Sequence, residues 1–293
     1  MKKLCVFYGN CQVIYDMHRI LNKIPEFREQ YDSIQYVNHD RDQIIKLSNI
    51  NIDDIKRCDV FIYQPLNENH GVFATGYIKK FLKSNCLDIS FPYVYNSAFY
   101  TVYWESASPR WTIGTLINCG WQNIMAFISH KYSLSEIIKL YDDGKLDFYF
   151  NARMNVCIES LREKEKYCDI KVSNFILNNF KNIRLFRTQN HLTDYFFEWM
   201  AIDVLEILGI NNSRTLLQST TIDNVIDQYC TYDAYNKSHY NFSYETLKIE
   251  DDNCIKLKIS SFYDFFSNNN NLYKSSDFKL FDIKDSDPEK FLD

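Results

Sequence analysis

Short apolar runs alternate with amphipathic segments along the first two hundred residues of the chain. Four runs have the length of a buried strand, at residues 4–8, 33–37, 59–63 and 89–95, and a fifth lies at residues 183–186. Residues 11–23, between the first two runs, carry apolar side chains three and four positions apart, which is helical spacing. Because strands and helices alternate, we expect an α/β fold with a short, mostly parallel sheet flanked by helices.

Helical patterns dominate the middle of the chain, at residues 112–130, 133–141 and 148–167, and another helix is predicted at 195–208. Ser133 and Glu136 have the spacing of a capping box. Residues 1–209 are therefore predicted to form the α/β core, with a large helical insertion at about 100–180. Residues 210–293 are expected to form a C-terminal accessory region, with a hairpin at 246–261 and a loop in the asparagine run at 267–271.

Net charge, the length of apolar runs and the spacing of cysteines limit the classes of protein to which the chain can belong. The chain has 293 residues and a net charge of −5, which gives no electrostatic reason to expect nucleic acid. No apolar run approaches the length of a transmembrane helix, and the apolar run at the N-terminus is too short for a signal peptide. The nine cysteines contain no C-x-x-C pair, which favours reduced thiols and a cytoplasmic protein over a metal site. The sequence leaves a homo-oligomer open.

The turn after the first strand, residues 9–12, carries the strongest candidate chemistry. Gly9 permits a close backbone approach, and Cys11 is placed where a helix begins. The positive end of a helix dipole favours the thiolate, which is the nucleophilic form of cysteine. The amides of Asn10 and Gln12 are candidates for binding substrate or an oxyanion.

Polar residues also follow two other predicted strands. Gln64 comes after residues 59–63, and Asn190 and His191 come after residues 183–186. The carboxyl ends of parallel strands share one edge of a sheet, so Cys11 and His191 form a candidate nucleophile–base pair. Gln64 and Asn190 are expected to orient the substrate. The alternative for each position is structural: a packed thiol, a loop-capping histidine and an amide that satisfies backbone groups.

Two arginines are weaker candidates for binding a phosphate of a cofactor. Arg110 lies among aromatic residues that could stack on a sugar or an adenine ring, although the same residues could equally be core. Arg162 lies in a run of charges that is typical of a solvated helix face.

These motifs together resemble the WcbI family of polysaccharide biosynthesis proteins over residues 2–209. The resemblance is carried by Phe7-Tyr8-Gly9-Asn10-Cys11-Gln12, Tyr63-Gln64-Pro65, Leu161-Arg162-Glu163, Cys168-Asp169-Ile170 and Thr188-Gln189-Asn190-His191. It implies an acetyltransferase of capsular polysaccharide that uses coenzyme A and no metal. It also implies a core similar to that of SGNH hydrolases, related in type to flavodoxin-like sheets, with cysteine at the position of their serine nucleophile.

The resemblance implies Cys11 and His191 at the active centre, with Asn10, Gln12 and Gln64 around them. Two positions depart from the related patterns. SGNH hydrolases usually have Asp three residues before the histidine, where this chain has Thr188, and the family often has Pro after the Asn-His pair, where this chain has Leu192. A thiolate–imidazolium pair can work without the acid.

The function expected from the sequence is transfer of an acetyl group from acetyl-coenzyme A to a hydroxyl of a glycan or sugar-nucleotide acceptor. Cys11 either carries the acyl group covalently or lines the acyl site while His191 activates the hydroxyl. Two alternatives stay open at this point: a carbohydrate esterase that uses the same pair with water as acceptor, and a glycan-binding or scaffold protein without turnover.

Overall fold

A computed structural model describes residues 2–38, 50–101, 121–210, 234–244 and 252–269. The chain divides into two compact units. The first comprises Met1–Tyr95, Glu159–Phe180 and Arg184–Gln228, and the second comprises Asn96–Ile158, Lys181–Ile183 and Tyr229–Asp293. The boundary between residues 209 and 210 that was expected from the sequence stays a prediction.

A four-stranded parallel sheet forms the centre of the first unit. Its strands are β1 (Lys3–Gly9), β2 (Tyr31–Val37), β3 (Val60–Tyr63) and β4 (Leu87–Ser90), in the order β2-β1-β3-β4. The register pairs Gly9 with Val37 and Tyr8 with Tyr63. All four carboxyl ends therefore lie at one edge of the sheet, as predicted for an α/β fold.

Helices cover both faces of this sheet. A π-helical segment (Gln12–Met17) leads into α1 (His18–Lys23), and α2 (Pro25–Gln30), α3 (Ile52–Arg57) and α4 (Thr75–Lys79) follow, the last preceded by a 3-10 turn (Glu68–Phe73). The ring of Phe7 packs edge-on against His18 of α1, with ring centroids 4.8 Å apart. The next side chain of β1, Tyr8, lies on the opposite face, in an apolar cluster with Ile55 of α3 and Ile78 of α4.

The middle of the chain is helical where it is described, as its pattern predicted, whereas residues 112–120 of the first predicted helix lie outside the described residues. The helices are α5 (Gln122–Ser129), α6 (Leu134–Asp142), α7 (Phe150–Glu165), α8 (Ser173–Asn179) and α9 (Asp194–Ile207). The capping box at Ser133 and Glu136 is present. The side chain of Thr193 caps α9 by accepting a hydrogen bond from the backbone N–H of Phe196.

The second unit contains α5, α6, α10 (Ala234–Tyr240), α11 (Asp252–Asn269) and part of α7. Trp121 stacks on Phe262 of α11, with ring centroids 4.3 Å apart and planes 8° from parallel. The hairpin predicted at 246–261 is wrong where residues are described, because α11 begins at Asp252. Buried apolar side chains four, three and four positions apart give α11 its helical face: Ile255, Ile259, Phe262 and Phe266. This helix continues to Asn269, so the predicted loop at 267–271 is wrong for its first residues.

The fifth predicted strand, at residues 183–186, is also wrong. Phe186 forms only an isolated antiparallel bridge with Leu192, and the carbonyl of Leu185 accepts the backbone N–H of Thr193. This segment pairs with the chain that follows it rather than with the sheet. Its turn holds His191, so the histidine does not follow a sheet strand as expected.

In the ranges of the chain that the structure describes, no helix combines the length and the hydropathy needed to cross a membrane. No three histidine, cysteine or carboxylate side chains in those same ranges lie close enough together to hold a metal ion.

Candidate active site

Polar residues follow three of the strands at the carboxyl edge of the sheet. Asn10 and Cys11 follow β1, Asn38 follows β2 and Gln64 follows β3. These residues all line one cavity of about 720 Å³ in the first unit, a volume within the range of ligand pockets. Cys11 and Gln64 therefore lie at one edge of the sheet, as expected from the positions of the strand ends.

Gly9 allows the helical segment to start immediately after β1. A Cβ atom at this position would lie 2.6 Å from the Cβ atom of Val13, which is closer than side-chain atoms approach. The carbonyl of Asn10 accepts the backbone N–H groups of Val13 and Ile14, both at 3.0 Å. Its side-chain Oδ1 accepts the backbone N–H of Gln12 at 2.9 Å. This turn holds Cys11 as the residue from which the helical segment begins.

Cys11 and His191 meet in this site although they are far apart in the sequence. The Sγ atom of Cys11 lies 3.7 Å from Nε2 of His191, and Cys11 is one of the residues that line the cavity. This is the geometry of a thiol whose proton an imidazole can accept. The predicted nucleophile and the predicted base are therefore brought into contact.

The loop that carries His191 is held by hydrogen bonds within its own turn. The carbonyl of His191 accepts the backbone N–H of Arg187 at 2.8 Å. The hydroxyl of Thr188 accepts the backbone N–H of His191 at 3.1 Å and donates to Oδ1 of Asn190 at 3.2 Å. Thr188, three residues before the histidine, thus stabilises the loop.

The side chain of Gln12 joins the two halves of the site. It is fully buried, and its Nε2 donates to the carbonyls of Val94 and Asn190, both at 2.7 Å. Its Oε1 accepts from Nε2 of Gln64 at 2.8 Å and from the backbone N–H of Val94 at 3.1 Å. Gln64 is also buried and donates to the carbonyl of Pro92 at 3.3 Å. All four hydrogen-bonding positions of the Gln12 amide are occupied by the protein, which makes it a positioning group.

A buried ion cluster lies between the helical segment of Cys11 and the loop of His191. Arg19 contacts both oxygens of Asp194, at 2.9 and 2.5 Å, and Arg187 forms a second ion pair with the same carboxylate. Burial alone would raise the pKa of Asp194, but Arg19 and the neighbouring cations lower it. Burial raises the pKa of Asp16 to about 6 despite the nearby Arg187 and Arg19. The cluster fixes the start of α9, three residues after the histidine, to α1.

The opposite wall of the cavity comes from residues that follow β4 and from the end of α7. Tyr93 follows β4, and Lys164 lies over its ring, with Nζ 5.2 Å from the centroid. The carboxylate of Asp169 accepts from the backbone N–H and the hydroxyl of Ser90, at 2.8 and 2.7 Å. These bonds hold the neighbouring Cys168 in the wall. Burial, with the charges of Asp169 and Glu165, raises the pKa of Cys168 to about 12, so this thiol is a poor nucleophile near neutral pH.

Sequence reasoning found some lining residues and missed others. Asn10, Gln64 and Asn190 line the cavity, whereas Asn38, Lys164 and Tyr167 were not singled out. Asn38 was identifiable, because it is the polar residue directly after the predicted strand 33–37. Arg162 is exposed on α7, donates to Asn174 at 3.4 Å and does not line this cavity. Arg110 lies outside the described residues.

Comparison with known proteins identifies relatives of the chain. No curated protein matches it. A solved structure with 20% sequence identity matches with a TM-score of 0.62 and covers 96% of this chain and 100% of its own. It is described as WcbI, a novel polysaccharide biosynthesis enzyme, in its native form without a disulfide bond between coenzyme A and a cysteine. The model of the polysaccharide biosynthesis enzyme WcbI family matches residues 4–213. The chain, with its Cys11–His191 contact at the edge of a parallel sheet, therefore belongs to the WcbI family of polysaccharide biosynthesis enzymes.

Proposed function

We propose that the protein is an acyltransferase that moves an acetyl group from acetyl-coenzyme A to a hydroxyl of a capsular or other surface polysaccharide, or of its precursor. The observation that carries this proposal is the 3.7 Å contact between Cys11 Sγ and His191 Nε2 at a cavity of about 720 Å³. Membership of a family of polysaccharide biosynthesis enzymes supports a glycan as the acceptor.

The choice of donor is supported by the similar WcbI structure, whose description names coenzyme A together with a cysteine. The residues present here fit a thioester substrate in two respects. Cys11 brings a thiol to the cavity wall, and the apolar lining at Pro65 and Leu66 suits the uncharged parts of a large ligand. The only cationic side chain among the described lining residues is Lys164, at the end of α7.

In the covalent mechanism, His191 accepts the proton of Cys11 and the thiolate attacks the carbonyl carbon of the thioester. The carbon–sulfur bond to coenzyme A breaks, and the departing thiol takes the proton from the imidazolium. The imidazole then removes the proton of the sugar hydroxyl, whose oxygen attacks the acyl carbon; the carbon–sulfur bond to Cys11 breaks, and the Cys11 thiolate takes the proton from the imidazolium. The products are an O-acetyl sugar and the regenerated Cys11 thiol. In the direct alternative, His191 activates the hydroxyl against the thioester, and Cys11 only lines the acyl site.

The experiment measures release of coenzyme A and acetylation of the glycan by purified protein. Cys11→Ser and His191→Ala are each expected to lower turnover by at least about 100-fold, since each removes a nucleophile or a general base. Cys157→Ser changes another partly exposed cysteine, which lies in the second unit, and is expected to keep wild-type turnover. Near-normal turnover in either site variant would reject the pair as the active centre. An acetyl group on Cys11, detected by mass spectrometry in the absence of acceptor, would select the covalent mechanism.

The same assay separates the two alternatives. An esterase would release acetate from acetylated glycan in the absence of coenzyme A, with the same dependence on Cys11 and His191. A glycan-binding protein without turnover would show alkylation of Cys11 by iodoacetamide no faster than that of an ordinary thiol. Fast and pH-dependent alkylation that is lost in His191→Ala is expected from the observed contact.

A further inference from the structure

Amide side chains are unusually concentrated in the lining of the cavity beside Cys11. They come from four separate parts of the first unit: Asn10, Asn38, Gln64, Asn67 and Asn190. Charged side chains are few among the described lining residues, namely Lys164 and Glu163, which have opposite signs. The cavity therefore offers many neutral donors and acceptors and little net charge.

Asn38 is the most informative of these residues. It is 95% buried, with 5% relative exposure, and it lies directly after β2 at the cavity. Its backbone N–H donates to the carbonyl of Gly9 at 3.0 Å, which fixes its position beside the Cys11 turn. No hydrogen bond joins its side-chain amide to the described residues, and neither amide atom is among the buried atoms that are closed off from solvent without a partner, so the amide borders the cavity. Its donor and its acceptor can therefore bond a ligand group that supplies both an acceptor and a donor.

A sugar hydroxyl is a ligand group that meets this requirement. Like the amide it can both donate and accept, and an asparagine can bond two neighbouring hydroxyls at once. The C–H faces of a sugar ring are apolar and pack on rings such as those of Tyr93 and Tyr167, which line the same cavity. The ammonium of Lys164 lies against the ring and the carbonyl of Tyr93, 3.4 Å from the carbonyl oxygen, and the carboxylate of Glu163 is paired with Lys166, so both charges are engaged within the protein.

We propose that this cavity binds the acyl acceptor as an uncharged sugar unit, and that the amide of Asn38 hydrogen-bonds to its hydroxyl groups. The role of this sugar as the acyl acceptor rests on the proposed function, whereas the binding of an uncharged sugar does not. Sugar acids and sugar phosphates bind this cavity more weakly than neutral sugars of the same size.

The test measures protection of Cys11 from alkylation by iodoacetamide, followed by mass spectrometry of the peptide that contains it. The probes are the methyl glycosides of glucose, galactose and mannose, with glucuronic acid as the charged comparison and pantetheine as a probe for the donor. A neutral glycoside is expected to slow alkylation about tenfold at ten times its Kd, by mass action. Glucuronic acid is expected to protect at least about fivefold less well at equal concentration, because Lys164, the one cation among the described lining residues, is already held against Tyr93.

Substitution of the amide gives the second arm of the test. Asn38→Leu and Asn38→Ala are expected to raise the Kd of the protecting glycoside at least about fivefold, the equivalent of one lost hydrogen bond. Neither change removes a side-chain hydrogen bond of the described protein, so the melting temperature is expected to stay close to that of wild type. Asn174→Ala, an exposed asparagine of α8 that does not line the cavity, is the matched control and is expected to keep wild-type protection.

The outcomes separate this inference from the proposed function. Protection by a neutral glycoside that depends on Asn38 supports the inference even if no acyl transfer is detected. Three results would overturn it: protection by pantetheine but by no sugar, equal protection by neutral and charged sugars, or full protection in both Asn38 variants. Acyl transfer to a neutral sugar together with undiminished affinity in both variants would overturn the role of Asn38 while leaving the proposed function intact.

Discussion

Replacement of Gln12 by leucine tests how the two halves of the candidate active site are held together. The substitution keeps a buried side chain of similar size but removes both hydrogen-bonding atoms of the amide. Four bonds are lost, to the carbonyls of Val94 and Asn190, to the backbone N–H of Val94 and to the amide of Gln64. At about 0.5–1.5 kcal/mol for each bond, the free energy of unfolding is expected to fall by about 2–6 kcal/mol.

The matched variant is Gln64→Leu, which also removes a buried amide. The Nε2 atom of Gln64 makes two bonds, to Oε1 of Gln12 and to the carbonyl of Pro92, so the expected loss is about 1–3 kcal/mol. Because the two glutamines share one bond, the double variant is expected to lose less than the sum of the single losses, by about 0.5–1.5 kcal/mol. Urea unfolding of the four proteins at one pH measures all three quantities.

A second readout connects this stability to the site. Gln12 bonds the carbonyl of Asn190, the residue before His191, whereas Gln64 does not. Gln12→Leu is therefore expected to change the rate and the pH profile of Cys11 alkylation more than Gln64→Leu does. A loss of stability below about 1 kcal/mol in Gln12→Leu would refute the hydrogen-bond reasoning. Unchanged Cys11 reactivity in a folded Gln12→Leu protein would refute its positioning role.

Three further substitutions test the surroundings of the pair. Gly9→Ala is expected to lower the melting temperature, because its Cβ would lie 2.6 Å from that of Val13; an unchanged temperature would contradict the close approach. Asp194→Asn is expected to cost about 3–5 kcal/mol in urea unfolding, because Arg187 is 97% buried and would lose this carboxylate partner. Asp16 has a pKa raised to about 6 in the folded protein, so the stability contributed by its protonated form is complete below about pH 4 and is lost as the pH rises through 6. The melting temperature of Asp16→Asn is expected to fall less than that of wild type between pH 4 and 7, and parallel profiles would refute the shift.

The parallel sheet and the place of Cys11 at its carboxyl edge could be predicted because both depend on local patterns, whereas the expected contact with His191 rested on a strand at 183–186 that is not part of the sheet. Apolar runs mark the strands, and polar residues directly after a strand mark the edge where ligands bind. The same rule would have found Asn38 after β2. It failed for residues 183–186, because an apolar run of four residues does not show whether it joins the sheet or pairs with its own loop.

The roles of the site amides could not be predicted in the same way. Gln12 and Asn38 carry the same functional group at the same edge, yet the amide of Gln12 is enclosed by four protein bonds whereas that of Asn38 borders the cavity. That difference depends on the carbonyls of Val94 and Asn190, which come from distant parts of the chain. The helix α11 was also not predicted. Its buried residues Ile255 and Ile259 show their helical spacing only when residues 252–269 are considered as one segment.

The position of His191 relative to Cys11 is fixed by contacts on both sides of the histidine. Before it, the carbonyl of Asn190 is bonded to Gln12; after it, Asp194 is paired with Arg19. Gln12 and Arg19 belong to one continuous helical stretch that begins at Cys11, because the π-helical segment runs directly into α1. The histidine loop is thus attached at two points to the helical stretch that carries the thiol. We therefore expect that loss of either attachment changes the separation of Cys11 and His191, because the helical stretch that carries the thiol also holds the chain on both sides of the histidine.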